Sequence, residues 1–461
     1  MQRKMRLSPT GEGAPLVGPS GAPTGDEPYH SSAPRESLWY HSAFIMMAEV
    51  MGMGLLGLPH AMANLGWILG LSAAILFGLA AAYAALLLSR LKNELYTHAE
   101  SYADLAVLTC GPSFGAFTRI GVLLTWAAIL PFFLLSCAES LETLFGPRLL
   151  LHSYQWTLLV AFLLIGPLQL RTLHQVSWLS FASSCAVILA VAVIVLALLF
   201  GDATEEEGRQ LSPTNGNGGR TNHSHSLWLP PNSILIDSFR HISSFVFAYQ
   251  GHSVFLEIMR EMKEPRTFTK SIYSAYTLMI LVYLCTSALG YLAFGRDVAG
   301  FLPDSMQNGT AKSLVGLLLT LHTGVAYMVT AQPLHRAIHG FLFPQTVLEP
   351  SSIQQPRAAI HWLCISTGQM TISILLATAV PFFAELQSLL GALTGAPMIF
   401  GAPALFYVRG RWLHGLPIKT VDMVLCGVFL CVLTPLFTIA GTATSVYGIV
   451  QEWAAVGSLL T

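Results

Sequence analysis

Three kinds of residue in this 461-residue chain have types and spacing that can do chemistry. The first is a glycine cluster, Gly52-Met-Gly54-Leu-Leu-Gly57, within the stretch EVMGMGLLGLPHA; it matches the G-x-G-x-x-G pattern that cradles a dinucleotide pyrophosphate. The second is a set of acids set into apolar surroundings, Glu49, Glu139 and Glu257. The third is His252, next to Gly251 inside another apolar run. A dinucleotide loop follows a strand, opens a helix and is trailed by an acid about 20 positions later. Here both flanks are long apolar segments and the next acid is Glu94, so the phosphate reading fails on context. No nucleophile–base pair, cysteine pair of metal-ligand spacing or phosphate loop survives inspection. The chain is not expected to be an enzyme or to carry a cofactor or a metal.

The elements that hold these residues are set by composition. Hydrophobic residues make up 53% of the chain and charged residues 10%, with a net charge of −1. Apolar runs recur at the roughly 20-residue length that crosses a hydrocarbon core. The expected architecture is an all-α integral membrane protein, with a lipid bilayer as its surroundings and no nucleic acid as a partner. Eleven spans are predicted, near 39–63, 66–90, 116–145, 155–172, 176–200, 235–261, 272–295, 312–338, 359–380, 383–408 and 420–450. Residues 1–38, rich in Gly, Pro and Ser, read as a disordered tail and 39–461 as one membrane domain. With the N-terminus inside, 17 of the 23 lysines and arginines fall in cytoplasmic segments, 5 in outer segments and Arg240 within a span. The glycosylation sequons Asn222-His-Ser and Asn308-Gly-Thr both fall outside in that orientation, the first in a flexible loop at 201–233. None of the seven cysteines lies in an outer loop, so no disulfide framework is expected.

Three glycines and Pro59 within eight residues predict that the first span is interrupted near Met51–Gly54. Two readings stand. Small residues let helices pack closely in lipid; alternatively, unwound backbone at mid-membrane is tolerated where it lines a cavity and binds something. The second reading requires a matching break in a later span, and Ala248-Tyr-Gln-Gly-His252 supplies one in the sixth. The two breaks lie five spans apart, as two five-helix halves of opposite orientation require.

The sixth-span sequence FVFAYQGHSVFLEIMREMKEPRTF resembles the signature of the amino acid/auxin permease family. In order along the chain, GLLGLPHAMANLGW, SYADLAVLTCG, PLQLRTLHQVSWLS, GYLAFG and VPFFAELQSLLGA are similar to that family's first helix, first cytoplasmic loop, fourth-to-fifth turn, seventh helix and ninth-to-tenth turn. The likeness runs from about Trp39 to Tyr407. It departs at Glu49, where many members carry a small residue, although MAEVMGMGLLGLP is similar to the first helix of fungal neutral amino-acid permeases, which carry an acid there. The resemblance implies a five-plus-five inverted repeat with an eleventh helix, broken in helices one and six, that carries small amino acids by alternating access.

The residues suit a zwitterion. Its carboxylate needs the N–H groups of a half-helix start, near Gly54–Leu55 beside Gly52 and Met53, and its ammonium needs carbonyls of a half-helix end, at Phe247, Ala248 and Tyr249 beside Gly251. Met53, Phe247, Tyr249, Leu135 and Ser136 would line an apolar pocket suited to a neutral substrate; ordinary core packing is the alternative for each. For coupling, Glu49 is the first candidate for a protonatable group, with His252 and Glu257 behind it. Glu257 has an ion pair with Arg260 or Lys263 as its structural alternative, and Asp237 and Arg240 are spaced as a local pair. A sodium site would use the Val50 carbonyl region with Thr323 and Thr330. Three functions follow as expectations: a proton-coupled amino-acid transporter, its sodium-coupled counterpart, or a receptor that binds amino acid without moving it. The membrane is expected to be the plasma membrane or a vacuolar or lysosomal one.

Overall fold

The computed structural model describes residues 37–146, 149, 151–169, 173–210, 224–229, 235–344 and 356–460. Almost all of the expected tail, the Asn222 sequon and most of the 201–233 loop lie outside these residues. Among the described residues the fold is helical, and the one strand-type contact is a bridge between Ser37 and Met262.

Helix α1 (Trp39–Val50) stops where Met51 leaves helical geometry and Gly52 turns extended; a tight 3-10 turn, Met53–Gly57, then restarts the helix. Pro59 sits at the start of α2 (Leu58–Glu94), a position where its missing N–H is not needed. Helix α2 doubles back at Gly66, whose φ of 76° belongs to glycine and whose Cβ, if present, would lie 2.3 Å from the Trp228 carbonyl oxygen. The amides freed there do not go unpaired: Trp67 and Ile68 donate to the carbonyls of Ser226 and Leu227, each at 3.0 Å. Two helical runs joined at Gly66 thus hold the end of the first crossing and the whole of the next.

A short α3 (Tyr102–Cys110), capped by a reciprocal Ser101–Asp104 box, leads to α4 (Pro112–Phe145), α5 (Ser153–Ile165) and α6 (Leu173–Gln210). The fifth predicted span was bounded at residue 200. The helix in fact runs ten residues further, because the following GDATEEEGRQ contains Ala and Glu, good helix formers, and no Pro. The sixth span is in pieces: α7 (Ser238–Ala248), an open turn, a 3-10 turn at His252–Val254, then α8 (Phe255–Glu261). Beyond it come α9 (Phe268–Phe294), a four-residue α10 (Leu302–Ser305), α11 (Thr310–Leu342), α12 (Pro356–Ala379) and α13 (Phe383–Leu390). The last passes through π turns into α14 (Ala402–Leu413). The C-terminal helix runs from α15 (Thr420–Val428) through α16 (Thr434–Leu436) to α17 (Thr442–Leu460).

Eight helical stretches among the described residues are long and apolar enough to cross a membrane. Large apolar side chains such as Leu76, Leu124, Phe162 and Ile439 are exposed around the outside, a surface suited to lipid rather than water. Inside, α2 packs along α9, and α4 along α11. The α2 face is lined by Gly70, Ala74, Gly78, Ala81 and Ala85, all buried, and a Cβ on Gly78 would lie 2.5 Å from Ile280 of α9. Small residues therefore set how close these two helices come.

The C-terminal helix is held at its start by a buried carboxylate. Asp422 accepts hydrogen bonds from the hydroxyls of Tyr83 and of Tyr407, the latter at 2.8 Å, and lies 3.5 Å from the Arg90 guanidinium. Asp422→Ala leaves two hydroxyls and a guanidinium without their acceptor, a loss of about 1–3 kcal/mol for such a group. The detergent-solubilised variant is expected to melt several degrees lower in a thermal-shift assay, with Asp422→Asn in between; equal melting of all three proteins would remove this role.

Candidate functional site

The two interruptions face each other. A Cβ on Gly54 would sit 3.0 Å from Ala248 Cα and 3.2 Å from the Phe247 ring, so the restart of the first span lies directly on the end of α7. The N–H groups of Met53 and Gly54 stand ahead of the first intrahelical bond, which runs from Leu55 N–H to the Gly52 carbonyl at 3.4 Å. On the opposite side the released carbonyls are shared out. The Tyr283 hydroxyl of α9 donates to the Ala248 carbonyl at 2.8 Å and lies 3.3 Å from the Val50 carbonyl, which also accepts the Gly52 N–H at 2.9 Å. The Gln387 amide of α13 donates to the Gly54 carbonyl at 2.8 Å and to Ser244 of α7 at 3.3 Å. Phe132 packs edge-on against Phe247 and at a tilt against Phe383, each at a centroid distance of 4.9 Å, giving the junction an aromatic wall.

The expected site residues are divided by this geometry. Gly54, Leu55, Phe247 and Ala248 are buried at the junction, with Gly52 and Gly251 at its two turns. The Met53 backbone is part of it; its side chain is outside the described residues. Tyr249 does not line the same space: it is buried, with its hydroxyl donating to the Ala74 carbonyl of α2 at 2.8 Å and its ring 4.9 Å from that of Tyr283. The turn after α7 points it at α2, where Gly78 makes room. His252 turns the same way, its Nε2 2.9 Å from the Ala81 carbonyl. Ser136 bonds back to Phe132 of its own helix at 2.7 Å, beside the buried Leu135, so its hydroxyl is occupied locally.

Among the coupling candidates, Glu257 keeps one buried carboxylate oxygen without a hydrogen bond, while Arg260 pairs instead with Glu100 of the preceding loop at 3.5 Å. Arg240 likewise reaches across to Glu385 of α13 at 3.2 Å rather than pairing with Asp237. The sodium set is not brought together: the Val50 carbonyl is taken by Tyr283 and Gly52, and Thr323 bonds back to Leu319 at 2.7 Å. Thr330 alone of the three residues opens on the cavity beside Glu49. Asn308 is exposed.

Glu49, in the last turn of α1, faces a cavity of about 80 Å³ behind the break, lined also by Gly52, Phe133 of α4, Ser183 and Ser184 of α6, and His322, Val325, Ala326, Val329 and Thr330 of α11. That volume holds two or three waters. A space of this size accommodates an ion or a few waters.

Tyr283, Gln387 and His322 were missed as site residues by sequence reasoning. Each is a polar group in an apolar span, which is itself a functional signal. Gln387 lies in VPFFAELQSLLGA and His322 in LHTGVAYMVTAQPL, two stretches singled out for other reasons.

Residues 35–447 match the family described as transmembrane amino acid transporter protein. The chain is 25% identical over 368 residues to the amino acid transporter AVT1J of Arabidopsis thaliana, covering 78% of this chain and 79% of the relative. It is 23% identical over 436 residues to lysine histidine transporter-like 4 of the same plant, covering 91% and 90%. It is also 23% identical over 395 residues to the N amino acid transport system protein of Neurospora crassa, covering 80% and 76%. A solved structure of a substrate-bound, outward-open Na+-coupled sialic acid symporter aligns over 90% of both chains at 11% identity and a TM-score of 0.48. Matched by this family's model over nearly all of its length, the chain belongs to the transmembrane amino acid transporter protein family.

Proposed function

We propose that the protein is a secondary active transporter that carries small neutral amino acids by alternating access and is driven by protons. The observation that carries this reading is the juxtaposition at the break. Unwound backbone with free N–H groups sits at Met53–Gly54, and the carboxyl group of Glu49 faces its own chamber about one turn before it. A zwitterion offers a carboxylate to those N–H groups. The aromatic wall of Phe247, Phe132 and Phe383 favours an uncharged side chain over a cationic one.

The eight long apolar stretches, with the broken first and sixth spans and the short α5, support a reading of eleven crossings. We read the first ten as a five-plus-five inverted repeat, with the N-terminus in the cytoplasm and either the plasma membrane or a vacuolar or lysosomal membrane as the site of action. Sodium is the second reading, favoured by the hydroxyls of Ser183, Ser184 and Thr330 in the chamber with Glu49. The proton is preferred because the Val50 carbonyl already accepts the Gly52 N–H and the Tyr283 hydroxyl, and Thr323 does not line the cavity.

Uptake of labelled amino acids into proteoliposomes, under an inward proton gradient or an inward sodium gradient, tests the reading. Accumulation with protons alone is expected; accumulation with sodium alone would replace it, and binding without flux would make the protein a receptor. In the same vesicles Gly54→Val and Gly251→Val are each expected to lower uptake more than about tenfold, equivalent to ~1.4 kcal/mol. A Cβ at 54 meets the α7 backbone, and one at 251 would lie 2.5 Å from Val50 Cγ2. Normal uptake by both variants, with normal insertion, would refute the site. Glu49→Gln is expected to abolish proton-driven accumulation while sparing amino-acid exchange, and an unchanged pH response would return Glu49 to a structural role.

A further inference from the structure

His322 shares the chamber with Glu49, and its orientation is fixed from behind. Its Nδ1 lies 3.0 Å from the Ser183 hydroxyl and 3.3 Å from the Ser183 carbonyl of α6. Its Nε2 therefore points at the break, where a Cβ on Gly52 would lie 3.5 Å from it. His322 is 5% exposed and Ser183 also 5%. Among the described residues Glu49 has no hydrogen bond to a protein group, so its carboxyl is open to whatever enters the chamber.

The groups around this imidazole can be enumerated. Helix α1 contributes Glu49; α4 contributes Phe133; α6 contributes Ser183 and Ser184; α11 itself contributes only apolar residues and Thr330. Glu49 and His322 are thus the two titratable groups lining the chamber. Cys137 of α4 lies against α11 outside it, with its thiol directed at the Thr320 carbonyl at 3.6 Å.

We propose that the driving proton is shared between Glu49 and His322 Nε2, with Ser183 as the residue that positions the imidazole. This rests on the proton-coupled reading given above. Empty, the chamber holds a carboxylate and a neutral imidazole and carries a charge of −1. Loaded with one proton it is neutral overall. In the first loaded form the proton is on the carboxyl; as that O–H bond breaks, the Nε2–H bond forms, leaving carboxylate and imidazolium with the same net charge of zero. A lone carboxylate is costly to move through a low-dielectric interior, and the neutral loaded form costs less, least of all with the proton on the carboxyl. The requirement for neutrality links the proton to the reorientation of the broken helix. The imidazole also gives the proton a second resting place on α11, the far wall of the chamber.

Proteoliposomes containing the full chain separate the possibilities. Proton-driven accumulation and amino-acid counterflow at equal pH are measured for the unmodified protein, Glu49→Gln, His322→Gln and Ser183→Ala. His322→Gln is expected to reduce proton-driven accumulation at least about tenfold while counterflow stays within about twofold of normal. Ser183→Ala is expected to shift the pH of half-maximal accumulation by about half a unit or more. Proton-driven accumulation that survives His322→Gln with an unchanged pH profile overturns the proposal while leaving Glu49 as the coupling group. Loss of counterflow together with accumulation in His322→Gln assigns the histidine a structural role and also overturns it. Absence of proton-driven accumulation in the unmodified protein is the distinct result that removes the proton reading itself.

Discussion

Backbone N–H and C=O groups cannot be left bare inside a membrane, and two helix interruptions set side by side release several of each. The rest of the interior is arranged around that constraint. Tyr283 takes up the Ala248 carbonyl and reaches toward that of Val50, so a single hydroxyl on α9 serves both breaks. Gln387 on α13 takes up the Gly54 and Ser244 carbonyls. What stays open is the set of N–H groups at the restart of the first span and the carboxyl of Glu49. Among the described residues several of the acceptors are thus paired within the protein, whereas the Met53 and Gly54 N–H groups lie ahead of the first helical bond, an arrangement that suits an anionic group.

The small residues follow from the same requirement. Gly54 lets the restart touch Ala248, and Gly78 lets Tyr249 lie between α2 and α9. Gly391 of the π turns after α13 has the Ser243 carbonyl where a Cβ would be, 1.9 Å away. These positions bring α2, α7, α9 and the α13 segment close enough for their side chains to reach released backbone. Larger residues would hold the helices apart and leave the same carbonyls unpaired.

Much of this was legible in the residues themselves. Three glycines and a proline announced the first break, and Ala248-Tyr-Gln-Gly-His252 the second, because helix propensity is local and its failure can be read locally. The directions of side chains were not. Tyr249 and His252 look like pocket residues by position, yet both turn to α2, since the rotation of a chain leaving a helix end depends on which neighbour has room. Ser136 and Thr323 look like free hydroxyls but bond back one turn, an option open to any Ser or Thr in a helix. Arg240 was matched with the acid three residues away, although Glu385, 145 positions later in sequence, takes the pair. Partners distant in sequence are invisible to spacing, and for that reason His322 escaped notice while Thr330, in the same helix, did not.

The bonds around the breaks are distributed unevenly, and the unevenness bears on how the site works. Ser37 bridges to Met262, the Ser271 hydroxyl holds the Trp39 carbonyl at 2.6 Å, Tyr283 joins α1 to α7, and Tyr249 and His252 are bonded to α2. All of these run among α1, α2, α7, α8 and α9 and tie the two broken spans into one body. Toward α4, α6 and α11, the first span instead faces the cavity that Glu49 and His322 both line. A chamber between a tied group of helices and its neighbours is the place where a change in charge can alter how the two fit, since no direct bond from Glu49 resists the change. Under the proposed coupling, a change of charge at Glu49 would act on the whole tied group at once, and through Gly54 and Ala248 on the backbone proposed to hold the substrate.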